Sequence, residues 1–118
     1  MTPSEVVEQQ VAAFNGKDER AFLALFAADV CVYDMPAVQP RLVGKAAFAA
    51  AYARPFANPQ LHVEILSRMA VGSKVVDHER VHGWKPQACD FVAVYEVREG
   101  LIRALWLFEA DAAPQPPA

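Results

Sequence analysis

Between Leu61 and Glu109 the apolar residues recur at every second position, in segments separated by very short breaks. Period two marks strands with one buried face, whereas helix packing repeats about every 3.6 residues. Four strands are predicted, near 61–71, 74–82, 88–97 and 101–109. Gly72-Ser73 and Arg98-Glu99-Gly100 are breaks suited to tight hairpins. The second half of the chain is therefore an antiparallel meander, and a meander must bury one face. Only the first sixty residues are available to cover it.

Those residues read as helices. Thr2-Pro3-Ser4-Glu5 combines a capping box with proline at the first helical position. Val7, Val11 and Phe14 then share one face, and Asn15-Gly16 ends the helix. Asp18 caps a second helix with a stripe of Phe22, Leu25 and Phe26, ending near Ala28-Asp29. Val30-Cys31-Val32-Tyr33 is a short strand leading into Asp34-Met35-Pro36, and the stretch from Ala37 to Val43 is irregular. A third helix is predicted from about Lys45 to Ala53, closed by Pro55. Helices followed by a meander make an α+β fold, with one domain over residues 1–111 and a disordered tail over 112–118. A sheet curved around its helices leaves a pocket at its open end.

At 118 residues the chain is long enough for one core. A net charge of −3 gives no basic footprint for nucleic acid, and no basic run suits an anionic membrane surface. No apolar run approaches the ~20 residues that span a bilayer, and Met1-Thr2-Pro3-Ser4 does not begin a signal peptide. Cys31 and Cys89 lie in apolar segments without metal spacing and read as buried free thiols, which fits a reduced, cytoplasmic setting. His78 and His82 would sit ~13 Å apart on a strand, too far to share one ion. No metal and no organic cofactor is expected.

The segment Val75-Val76-Asp77-His78-Glu79-Arg80-Val81-His82 breaks the simple alternation. With Gly72-Ser73 as a two-residue turn, Val71 faces Lys74 and the later pairs follow in step. Arg68 then meets Asp77, and the bland reading puts Asp77 and Glu79 on a solvated or subunit-contact face. His78, Arg80 and His82 face Ser67, Ile65 and Val63 and are expected to point inward. An interior arginine needs an acidic partner or a wet pocket. A turn longer by one residue would exchange the two faces.

Three further stretches, F-A-A-D-V-C-V-Y-D-M-P, V-G-K-A-A-F and A-V-Y-E-V-R-E-G-L-I-R-A-L-W-L-F, resemble the nuclear transport factor two-like superfamily, near its ketosteroid isomerase and SnoaL-like branches. The resemblance covers about residues 5 to 109. It implies a cone of three helices on a strongly curved, mostly antiparallel sheet enclosing a hydrophobic pocket, and a homodimer through the outer sheet face. By the same resemblance Asp34 takes the place of the isomerases' general base. Their oxyanion tyrosine falls near Gln10, and its partner acid near Val92 with Asp90 two residues away. In the limonene epoxide hydrolases an E-R-V-D stretch corresponds to Glu79-Arg80-Val81-His82, so Arg80 keeps its place, and the last-strand acid corresponds to Leu107.

Three functions stay open at this level. The first is a cofactor-independent enzyme transferring protons on a hydrophobic oxygenated small molecule, with Asp34 as base, His78 or His82 as acid and Arg80 binding a carbonyl or carboxylate. The second is a noncatalytic ligand-binding or dimerisation domain, and the third is epoxide hydrolysis.

Overall fold

In the computed structural model, which describes residues 1–110, the chain opens on helix α1 (Pro3–Asn15). Its capping box is formed: Thr2 Oγ1 accepts from the Glu5 N–H at 3.2 Å, and Glu5 Oε1 accepts from the Thr2 N–H at 2.9 Å. Asp18 caps α2 (Glu19–Leu23) through the Ala21 N–H. This helix is shorter than predicted, because Phe26 already pairs with Ile102 as part of strand β1 (Phe26–Asp34). Strand β2 (Leu42–Val43) precedes α3 (Lys45–Ala57). Pro55 does not close α3. The helix runs one further turn because Phe56 packs on Phe14 and Phe22, with ring centroids 5.2 and 4.9 Å apart.

The four predicted strands form as β3 (His62–Val71), β4 (Lys74–His82), β5 (Cys89–Arg98) and β6 (Leu101–Glu109). The six strands lie in the order β2-β1-β6-β5-β4-β3, antiparallel throughout except for the parallel pair β1–β6. The helices pack on one face, where Phe22, Phe26 and Phe48 are fully buried together with Val6, Val7 and Ile102. The fold is α+β, with helices first and a mixed, mostly antiparallel sheet after them. Among the described residues no helix is long and apolar enough to cross a membrane. The predicted tail at 112–118 lies outside the described residues.

Helix α1 is fastened to the edge strand by its last residue. Asn15 accepts from the Val63 N–H and donates to the Val63 carbonyl, both at 2.8 Å, and Lys17 Nζ donates to the Leu61 carbonyl. At the same open end of the hairpin, Gly83 (φ 84°) lets the 58–61 turn lie against the backbone, where a Cβ would come within 2.1 Å of the Gln60 oxygen. Both devices hold Leu61 and Val63 against the helices.

The hairpin register holds from Val71↔Lys74 to Ser67↔His78, including Arg68↔Asp77. It then shifts by one at Leu66, giving Ile65↔Glu79, Glu64↔Arg80 and Val63↔Val81. The predicted orientation of β4 is overturned by burial, on both sides of the shift. Asp77 is 0% and Glu79 9% exposed, on the face shared with Val75 and Val81, while His78, Arg80 and His82 lie on the opposite, outer face. The apolar neighbours taken as a sign of the interior fail in two ways. Met69 and Val71 are 58% and 64% exposed, and the bulge returns Val63 and Ile65 to the inner face without carrying Arg80 and His82 with them.

Candidate functional site

Between α1, α3 and the inner face of the sheet lies a cavity of about 320 Å³, at the small end of ligand pockets. Its walls are mainly apolar, with Val11, Phe14, Leu61, Val81, Leu105 and Leu107 prominent. Trp84 stands exposed at the rim and packs on Phe91, with ring centroids 5.5 Å apart. Five polar side chains reach this lining: Gln10 from α1, Arg41 from the segment before β2, Tyr52 from α3, Glu79 from β4 and Tyr95 from β5.

Glu79 is the carboxyl of the cavity, and its acidity is strongly perturbed. Burial pushes its carboxyl up from 4.5 to about 7, the nearby Asp77 charge adds to this, and Arg68 opposes it. Among the described residues Glu79 has no hydrogen-bond partner, so its carboxyl is left to the cavity. Asp77, two residues earlier on the same face, is held in a fork by Arg68: Nε to Oδ1 at 2.7 Å and Nη2 to Oδ2 at 2.9 Å. That pairing lets a fully buried carboxylate persist. It also uses up the nearest cation, which is why Glu79 stays unpaired.

The two tyrosines keep their protons. Burial first, then the Glu79 charge, pushes the Tyr52 hydroxyl up to about 12. Burial, followed by Glu79 and Asp77, holds Tyr95 well above its ordinary value. Both are therefore hydrogen-bond donors at neutral pH. Gln10 is 8% exposed, and its Oε1 is buried with no hydrogen-bond partner among the described residues. Leaving such an acceptor unmet costs about 1–3 kcal/mol. A chamber of this kind, with one acid near neutrality, two protonated hydroxyls and an orphan amide in apolar walls, can exchange a proton with a bound molecule while shielding it from water.

The family model for the SnoaL-like domain matches residues 7–105. This chain belongs to the SnoaL-like domain family. Solved structures agree in fold. One is an uncharacterised cystatin-fold protein from Novosphingobium aromaticivorans, with 25% identity over 91% of this chain and 97% of that one, at a TM-score of 0.81. Another is a provisionally described ketosteroid isomerase from Kribbella flavida, with 19% identity over 98% and 83%, at a TM-score of 0.81. A third is a provisionally described polyketide cyclase from Sinorhizobium meliloti, with 22% identity over 87% and 93%, at a TM-score of 0.74. No curated protein matches the chain by sequence.

The predicted site residues of this SnoaL-like domain are not brought together in the cavity. Asp34 ends β1 with its side chain half exposed, accepting from Arg41 Nε at 2.7 Å; it stands behind Arg41 and outside the cavity lining. His78 and Arg80 do meet, but on the outer face, where both bind Asp90. His78 Nε2 lies 2.8 Å from Oδ2, Arg80 Nε 2.8 Å from Oδ1, and Arg80 Nη2 3.2 Å from Oδ2. Arg80 first, then His78, holds Asp90 down at about 2. His82 pairs with Glu64 at 2.9 Å on that same outer face. Gln10 and Leu107 do line the cavity, while Val92 faces outward with Asp90.

Glu79, Tyr52, Tyr95 and Arg41 are the cavity residues that sequence reasoning missed. One signal was present for Glu79. Val75, Asp77, Glu79 and Val81 form a single period-two set bounded by valines, and the cross-strand set Phe91, Ala93, Tyr95 gives it an apolar neighbour. Both cysteines are free, as predicted, but half-buried rather than buried. Trp106 stacks on Tyr33 on the outer face, with centroids 5.3 Å and planes 11° apart.

Proposed function

We propose that this SnoaL-like domain moves a proton on a small, largely apolar, oxygenated molecule bound in the cavity, with the Glu79 carboxyl as acid and base. The observation that carries this reading is the unpaired Glu79 carboxyl, raised to about 7 in an apolar chamber. A group with that acidity takes and returns a proton with similar ease near neutrality. In the simplest step, ionised Glu79 removes a proton from the carbon beside a carbonyl. The electron pair moves to the carbonyl oxygen, where the Tyr52 or Tyr95 hydroxyl donates a hydrogen bond. Where the deprotonated carbon also adjoins a carbon–carbon double bond, the product is a dienolate and Glu79 returns the proton to its far carbon, moving the double bond into conjugation with the carbonyl. This replaces Asp34, His78, Arg80 and His82 as the catalytic set.

Screening ketones, lactones and epoxides by thermal shift finds the ligand, and turnover then tests the role. Glu79→Gln is expected to lower turnover by roughly 100-fold or more while ligand binding persists. Asp34→Asn and Arg80→Gln leave turnover near the wild-type value. Turnover by Glu79→Gln at the wild-type rate overturns the assignment.

A noncatalytic binding domain is the second reading, favoured by leucine at position 107 and valine at position 81 in the cavity wall. The same two residues, with Arg80 outside, leave the cavity without the arginine and last-strand acid that the resemblance to the limonene epoxide hydrolases would call for. We also propose that two copies pair through the outer sheet face, which carries exposed Met69, Val71 and Phe108. Asp77 and Glu79, once assigned to that contact, take no part in it.

A further inference from the structure

Helix α1 buries Val6, Val7, Val11 and Phe14, and Gln10 is the only polar side chain buried with them. It is 8% exposed, lines the cavity, and its Oε1 has no partner among the described residues. An apolar residue here would complete the stripe, so the amide weakens the fold and gains nothing within it. We infer that Gln10 is the specificity-determining residue of the cavity, selecting one- or two-ring compounds that carry a hydroxyl besides the oxygen next to which Glu79 works.

Three observations define the ligand. A hydroxyl both donates and accepts, so it satisfies whichever edge of the amide is turned toward it, carbonyl or NH₂. An analogue without the hydroxyl leaves the amide unmet, and a site built this way discriminates strongly against such analogues. The carboxyls Asp77 and Glu79 lie on the inner face, and both nearby cations already hold a carboxylate, Arg68 on Asp77 and Arg41 on Asp34, which favours a neutral hydroxyl over an anionic group. At about 320 Å³ the chamber holds one or two rings and not a large fused system. The inference rests on the Glu79 reading only for the place of the second oxygen.

The test measures equilibrium binding of 2-tetralone and its monohydroxy derivatives by calorimetry, to the wild type, Gln10→Leu and Gln10→Met. At least one hydroxytetralone is expected to bind the wild type roughly ten-fold tighter than 2-tetralone, the worth of one satisfied buried group. Both variants are expected to abolish that preference while melting no lower than the wild type. The inference is overturned if no hydroxytetralone is preferred, or if the preference survives in both variants. Binding is read without turnover, so the two proposals fail separately. A lost preference with Glu79-dependent turnover intact sinks the role of Gln10. An intact preference with turnover indifferent to Glu79→Gln sinks the role of Glu79.

Discussion

Glu79 ties the stability of the chain to its chemistry. Below pH 4.5 the carboxyl is protonated in both the folded and the unfolded chain. Between 4.5 and about 7 only the folded chain keeps the proton, so folding loses stability as pH rises through that window. The loss is on the order of 3 kcal/mol. Wild-type melting temperature is therefore expected to fall between pH 5 and pH 8, and Glu79→Gln to flatten that fall, as scanning calorimetry at the two pH values would show. Asp90 acts in the opposite sense at lower pH. Its pair with Arg80 and His78 is intact above 3.8 and is lost as pH falls toward 2. At this scale the sequence was legible for pairing and not for side. Arg68 opposite Asp77 followed from counting back from Gly72-Ser73, but counting does not say which set of alternating residues meets the helices.

At the scale of elements, the β3–β4 hairpin carries the cost and the use of buried charge together. Asp77 has no exposure, and Arg68 supplies both of its hydrogen bonds from another side chain. Removing Arg68 alone strands a buried carboxylate, a loss of roughly 3–5 kcal/mol, whereas replacing both partners with apolar residues is close to neutral. Urea unfolding of Arg68→Met, Asp77→Leu and the double variant checks this; the double variant is expected to be clearly more stable than Arg68→Met. Strand existence and turn positions were readable because period two and Gly-Ser are local signals. The bulge at Leu66 was not. It exists so that Val63 can meet Asn15 and the cavity while Met69 stays outside, and neither partner is near it in sequence. The end of α3 was misread for a similar reason. Pro55 is a local stop signal, and the rings of Phe14 and Phe22, far away in sequence, override it through Phe56.

For the whole molecule, the order of helices and meander made the α+β architecture readable, because the amphipathic stripes and the period-two strands leave one way to cover both. The sequence reading placed a pocket at the open end of a curved sheet, and the structure has a cavity between α1, α3 and the inner sheet face. The chemistry of that cavity was not readable, because it depends on which face of β4 lies inside. If the outer face pairs two copies, sedimentation at micromolar concentration gives a dimer for the wild type. Val94→Arg, at the centre of that face, then gives a monomer with little change in secondary structure. A wild type that sediments as a monomer refutes the pairing. The strand order carries one more consequence, for synthesis. Among the described residues, strand β1 has only β6 as a neighbour besides the two-residue β2, and β6 is synthesised after all the other described elements. The hairpins can close as they emerge, but Phe26 has no strand to pair with until Ile102 and the residues after it are out of the exit tunnel. A nascent chain stalled before residue 100 therefore presents its helices with an unsealed aromatic core, and chaperones would meet this protein at that length.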